Sequence, residues 1–201
     1  MTPFIKVTGA AIPLAMDDVN TDQIIPSAYL KDPHADLGAG FLSYMRRRPD
    51  GTRVADFVLE RPQFQGAPIL VVGTNFGFGS SREHAVWAMQ AFGIRCVIGH
   101  RLAEFFSDNC LKNGVLPIEL DAQTMERLMQ AIQQSDGADA VTVDLEACEI
   151  ILPKTGHIAF TIADHQRTAL LEGLDDIGFT LQYIDRIEDW ESRFQKRGGT
   201  V

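Results

Sequence analysis

Hydrophobic and polar positions along this chain alternate between two periods, and the change of period marks out its elements. Residues 4–14 alternate loosely and carry Pro13 near their end, which predicts an edge strand. Residues 17–23 are polar and run into Ile24-Ile25-Pro26. From 31 to 66 the chain is rich in Gly, Pro and charge, predicting long, partly irregular structure of the kind that is functional or mobile. The apolar run 68–72 then reads as a buried strand and 85–92 as a helix. That helix extends back to Arg82, places Ala85, Ala88, Met89 and Phe92 on one face, and stops at Gly93. A strand at 96–99, a helix at 102–113 ending before Gly114 and a strand at 115–120 follow. Asp121 caps a further helix with Met125, Leu128, Met129 and Ile132 along one side. The remainder predicts a hairpin, 140–151 with 157–162, and helices near 168–174 and 183–194. Regular strand–helix alternation followed by a hairpin indicates a layered α/β domain.

Between the strand at 68–72 and its helix lies Asn75-Phe-Gly-Phe-Gly-Ser-Ser-Arg-Glu-His84. Gly77 and Gly79 allow a tight turn and a close backbone approach to a ligand. The helix that follows aims its free N–H groups and positive dipole end at the loop, where two hydroxyls and a guanidinium also sit. Such a group is suited to holding carboxylates and steadying an oxyanion. The same residues admit a plainer reading, because Ser80-Ser-Arg-Glu83 is a capping box that would only start the helix. A capping box does not require two glycines, a second serine and an arginine, so the functional reading is preferred. His84 falls about one turn beyond Ser80, where it either supports the site or packs as a helix residue.

Composition narrows the chemistry. At 201 residues the chain is long enough for one domain with a full core, and length alone would tolerate two small ones. The net charge of −9 disfavours nucleic acid and anionic membrane as partners and makes each local cation significant, Arg82 first. No segment reaches the ~18 apolar residues of a membrane helix, and the first residues lack the order of a signal peptide, so the cytoplasm is the expected location. Cys96, Cys110 and Cys148 are odd in number and widely spaced, and the five histidines form no ligand pattern, so no metal is expected on this chain. A dinucleotide fingerprint lacks its third glycine, and neither a P-loop nor a Gly-x-Ser-x-Gly elbow is present. Asp18-Val-Asn-Thr-Asp22 fails as a calcium loop, since Gln23 stands in place of the glycine, and reads as an Asx-rich turn. Asp22 alternatively enters the cavity of Arg82. Arg46-Arg47-Arg48 reads as a solvated loop face; one of these arginines, or Lys31, could also reach a carboxylate.

Asn20-Thr-Asp-Gln-Ile-Ile-Pro26 and Asn75-Phe-Gly-Phe-Gly-Ser-Ser-Arg-Glu-His-Ala85 together resemble the small subunits of 3-isopropylmalate dehydratase, which correspond to the swivel domain of the aconitase superfamily. Further similarity lies in 105–117, with Asn109 and Asn113-Gly-Val-Leu-Pro117, and in Leu170-Leu-Glu-Gly-Leu-Asp-Asp-Ile177. The resemblance implies one layered β/β/α swivel-type domain over 1–201 with a C-terminal helical extension. It implies a hydro-lyase of leucine biosynthesis that interconverts 2-isopropylmalate and 3-isopropylmalate. A separate large subunit would carry a 4Fe–4S cluster, and neither half would be competent alone. Carried over, Ser80 is the base that removes the proton beside a carboxylate, Ser81 and Arg82 bind substrate carboxylates, and Asp22 lines the site; Lys31 is the further candidate cation. The chain departs from the pattern at Phe78, usually cysteine, at Val86, usually proline, and at Ala35-Asp-Leu-Gly-Ala-Gly-Phe41. These differences leave the 2-hydroxy acid open. The alternatives are a paralogue acting on a related malate derivative and a noncatalytic binding or interaction module.

Overall fold

The structure, a computed structural model, describes residues 1–154 and 156–196. In chain order its main elements are β1 (Lys6–Gly9), β2 (Ala11–Leu14), α1 (Thr21–Ile24), α2 (Leu37–Gly40), α3 (Ser43–Arg46), β3 (Ile69–Thr74), α4 (His84–Phe92), β4 (Cys96–His100), α5 (Glu104–Lys112), β5 (Leu116–Glu119), α6 (Ala122–Ser135), β6 (Val141–Asp144), β7 (Glu149–Leu152), β8 (Gly156–Ala159), α7 (Asp164–Glu172), α8 (Asp176–Leu181) and α9 (Ile184–Lys196).

Two four-stranded sheets form the frame. One is parallel in the order β2-β3-β4-β5, and the other is antiparallel in the order β1-β6-β7-β8. In the parallel sheet Ala11, Ile69, Cys96 and Leu116 align in one row across all four strands. Strand residues alternate between faces, and here the alternation divides two cores. Ile12, Leu14, Leu70, Val72 and Val97 join a cluster with Phe41, Phe76, Met89 and Phe106. Ala11, Ile69, Val71, Cys96 and Ile98 join a second cluster with Leu128 and Ile132 of α6 and Val141, Val143 and Ile150 of the antiparallel sheet. The result is a β/β/α layering. The central strands of the parallel sheet, β3 and β4, are buried on both faces, which explains runs such as Ile-Leu-Val-Val at 69–72.

The 4–14 segment differs from expectation. It forms two strands, β1 and β2, each the edge of a different sheet, and the chain changes sheet at Ala10. The expected hairpin is a three-stranded meander, because residues 145–148 turn β6 back onto β7. The turn is held by Asp144, whose Oδ1 accepts from the Ala147 N–H at 3.0 Å. Cys148 takes a left-handed φ of 54°.

The 31–66 segment is irregular but well packed, and it corrects the reading of the arginine run. Arg46 is buried. Its Nε donates to Glu60 Oε1 at 2.6 Å, and its Nη1 donates to the carbonyls of Phe41 (2.9 Å) and Gly38 (3.2 Å). Its guanidinium also lies 4.8 Å from the centre of the Phe92 ring. A run of like charge becomes structural here because one member finds a carboxylate fourteen residues away. Gly38 of the divergent Leu37-Gly-Ala-Gly40 stretch lets α2 lie against α4, since a Cβ there would stand 2.8 Å from the Ala91 carbonyl oxygen, and Gly40 makes room for Ile25 and Tyr29. Among the described residues no helix is long and apolar enough to cross a membrane.

Candidate active site

The site is built where β3 leaves the parallel sheet. The β3–β4 register shifts between Val71 and Thr74, and Asn75 adopts a left-handed φ of 56°. The loop then turns through Gly77 (φ 85°) and Gly79 (φ 109°). Gly77 is required on two counts, since a Cβ there would lie 2.3 Å from Phe106 Cγ. Phe106 in turn packs edge-on against Phe76, with ring centres 5.4 Å apart.

The 16–22 segment runs beside this loop and is bonded to it along its length. Gly73 N donates to Met16 O (3.1 Å), Asp18 N to Thr74 O (3.0 Å), Gly77 N to Val19 O (2.7 Å) and Thr21 N to Phe78 O (2.8 Å). Side chains add to the seam: Asp17 Oδ1 accepts from Thr74 N, and Asn75 Nδ2 donates to Asp18 Oδ1, both at 2.7 Å. The polar 17–23 stretch is therefore a partner strand for the loop that ends in a short helix. That helix, α1, carries a full capping box: Asn20 Oδ1 accepts from Gln23 N, and Gln23 Oε1 accepts from Asn20 N.

The capping box that is the plainer reading of Ser80–Glu83 is not formed. Helix α4 begins at His84, its N-cap is Glu83 in a right-handed helical conformation, and no side chain caps it. Ser80 Oγ instead lies 2.7 Å from Thr21 Oγ1. Among the described residues the N–H groups of Ser81 through Ala85 have no protein acceptor, so the start of α4 keeps its donors free for an anion.

Arg82 Nη1 donates to Asp22 Oδ1 at 2.8 Å, which brings these two sequence candidates into one ion pair beside Ser80. The arginine side chain is 30% exposed and the aspartate 66%, so the pair faces solvent and a ligand carboxylate can compete for the guanidinium. Ser81 is exposed, and its carbonyl accepts from Asn109 Nδ2 at 2.9 Å. Asn109 is itself buried and followed by a chain of amides: Asn113 Nδ2 donates to Asn109 O (2.8 Å), and Trp87 Nε1 donates to Asn113 Oδ1 (3.0 Å). His84 packs its ring on Trp87, 4.5 Å between centres.

Lys31 stands apart. It is exposed at the end of a 3₁₀ turn (Ser27–Leu30) and makes no ion pair among the described residues. Thr21, which sequence reasoning missed, is the residue that touches Ser80. The only signal for it was its position beside Asp22 in Asn-Thr-Asp.

The cysteines do not form a ligand set. Cys96 and Cys110 are buried in the two cores, and desolvation pushes both thiols far above their usual range, opposite to what a metal-binding thiolate needs. Cys148 is half-buried and donates to the Leu145 carbonyl. Among the described residues no three His, Cys, Asp or Glu side chains converge.

This frame, with a glycine–serine–arginine loop leading from a parallel strand into α4, is that of an aconitase-type swivel domain, and the aconitase C-terminal domain family matches residues 1–123. A small subunit of 3-isopropylmalate dehydratase from Brucella anthropi is 48% identical over 195 residues, covering 96% of each chain. One from Rhizobium meliloti is 48% identical over 193 residues, covering 95% of each. Among solved structures, the 3-isopropylmalate dehydratase LeuD of Methanocaldococcus jannaschii is 27% identical with a TM-score of 0.62, over 93% of this chain and 99% of that one. The chain belongs to the family of 3-isopropylmalate dehydratase small subunits.

Proposed function

We propose that this chain is the small subunit of a hydro-lyase that interconverts 2-isopropylmalate and 3-isopropylmalate in leucine biosynthesis. It acts as one swivel-type domain with α7–α9 as its C-terminal extension. The observation that carries this reading is Ser80: its hydroxyl is released from helix capping, fixed on a rigid loop and flanked by Arg82 and the open start of α4. As base, a Ser80 oxyanion forms an O–H bond with the proton of the carbon beside a carboxylate. The C–H electron pair becomes the new C=C bond as the hydroxyl on the adjacent carbon departs as hydroxide. Addition of hydroxide to the carbon that lost the proton, with return of the proton from Ser80 to the carbon that lost the hydroxyl, completes the interconversion.

A serine hydroxyl is a very weak acid, so its anion requires preorganised donors and little water. The donors on this side are the Arg82 guanidinium and the free N–H groups of α4. Arg82 and Ser81 hold substrate carboxylates, and Asp22 holds Arg82 in place until substrate arrives. Ser81 and Asp22 are exposed, so the exclusion of water falls to a large partner subunit closing over the loop. We assign the iron–sulfur cluster to that subunit, because Cys96 and Cys110 are buried in separate cores with their thiols pushed up by desolvation, and no three possible ligands converge among the described residues. Lys31, exposed and unpaired, is a further cation for the substrate only if closure draws it in.

The noncatalytic alternative rested on the loop serving only as a cap, and α4 starts without Ser80. The test is Ser80→Asn and Ser80→Ala in the chain reconstituted with its large subunit. Both variants should fold and assemble but lack turnover, Ser80→Ala with a modestly lower unfolding temperature because it leaves the buried Thr21 hydroxyl without its partner. Near-normal turnover in either would move proton abstraction to another group, Ser81 first. A parallel screen of malate derivatives separates the isopropyl substrate from that of a paralogue.

A further inference from the structure

Thr21 is 2% exposed, and its hydroxyl has one polar partner among the described residues, Ser80 Oγ at 2.7 Å. Its main-chain groups are already used, the N–H by Phe78 O (2.8 Å) and the carbonyl by Ile25 N (3.0 Å). The capping box of α1 fixes the backbone on either side, and a β-branched side chain has little torsional freedom. The hydroxyl is thus held at one place, out of water, facing one oxygen.

While Ser80 is neutral, either hydroxyl can donate to the other. Once Ser80 is an anion it has no proton to give, so the single proton of Thr21 must point at it. A hydrogen bond to an ionised oxygen is about twice as strong as one between neutral groups. The contact therefore strengthens as charge develops on Ser80, the condition for lowering the cost of the anion.

We infer that Thr21 is the positioning residue for Ser80, donating its hydroxyl proton to Ser80 Oγ and holding that oxygen in its anionic form. This rests on the reading of Ser80 as base. The neighbouring charges, Asp22 and Arg82, are paired with each other, and Asn109 reaches Ser81 rather than Ser80, so Thr21 is the side chain in direct contact.

The test uses the enzyme reconstituted with its large subunit. Thr21→Val keeps shape and removes the donor. It should lower kcat by roughly 10- to 100-fold with KM within about twofold, the scale for losing one hydrogen bond to a charged group. The isotope effect on the abstracted hydrogen should rise, since proton removal becomes more limiting. Thr21→Ser should recover most of the rate. If Thr21→Val fails to assemble, Thr21→Ala against Thr21→Ser makes the same comparison at equal methyl loss. A Thr21→Val kcat within twofold of the parent, or Thr21→Ser no better than Thr21→Ala, would overturn the assignment. Ser80→Ala separates the two levels: if it stays active, the reading of Ser80 falls; if it is dead while Thr21→Val is normal, only the role of Thr21 falls.

Discussion

Gly77→Ala perturbs the point where the loop is most tightly held. The residue has φ 85°, and the added Cβ would meet Phe106 at Cγ (2.3 Å), Cβ (2.6 Å) and Cδ2 (2.7 Å). Phe106 cannot swing aside, because it is 2% exposed and wedged edge-on against Phe76. The left-handed backbone costs an alanine roughly 1–2 kcal/mol. Forcing a methyl into a filled core adds roughly 1–3 kcal/mol. Together these predict a loss of about 2–5 kcal/mol, a fall of roughly 4–20 °C in unfolding temperature for a chain of this size. Gly79→Ala is the built-in reference. It carries φ 109°, yet its nearest heavy atoms would be 3.5 Å away, so it bears the backbone cost alone. The assay is urea and thermal unfolding of both variants, followed by turnover of the reconstituted enzyme, which Gly77→Ala should impair by displacing Ser80. Combining Gly77→Ala with Phe106→Leu should recover part of the loss through direct coupling. Equal stability of the two single variants would refute the claim that Phe106 sets the position of the loop.

Three further outcomes follow from the same contacts. Glu60→Gln strands the buried Arg46 charge and should cost about 3–5 kcal/mol by urea unfolding, a loss under ~1 kcal/mol showing that the pair is not a buried anchor. Arg82→Lys keeps charge but not the planar fork, and should raise the barrier to turnover by on the order of 2–4 kcal/mol; unchanged kinetics would place Arg82 outside the site. The Asp144 carboxyl is held below its usual value, first by the hydrogen bond from Lys6 and then by the Ala147 N–H. The unfolded chain therefore takes up that proton first, so the stabilisation is present above about pH 4 and is lost as the pH falls through the native value. Asp144→Asn should flatten the acid limb of thermal stability measured below about pH 5, and an unaltered limb would refute this.

Much of the fold was legible because apolar periodicity is local. The strands at 69–74 and 96–100 and helix α6 with its Asp121 cap follow directly from it. What escaped depends on distant partners or on unusual turn residues. One run of alternation, 4–14, serves two sheets, and nothing in the run itself says that Ala10 is where the chain changes sheet. The turn at 145–148 contains neither Gly nor Pro, and its left-handed position is filled by Cys148, so its only local sign was Asp144. Arg46 looked solvated because its counter-charge, Glu60, lies in a separate turn.

The two capping boxes show where the same limit meets the chemistry. Asn20-x-x-Gln23 and Ser80-x-x-Glu83 are equivalent as sequence, and only the first is formed. At 20–23 the helix is short, and both side chains find the opposing N–H groups. At 80–83 the preceding Gly79 turns the backbone, and Thr21 reaches Ser80 from the segment alongside, so the serine hydroxyl faces α1 instead of its own helix. The start of α4 is then left without an internal acceptor for its first N–H groups, a state that has a cost unless something else binds there. A substrate carboxylate or a developing oxyanion is the partner those groups suit. The failed cap and the bonded hydroxyl are therefore one arrangement: the same contact with Thr21 that turns Ser80 away from capping leaves the first N–H groups of α4 open beside it.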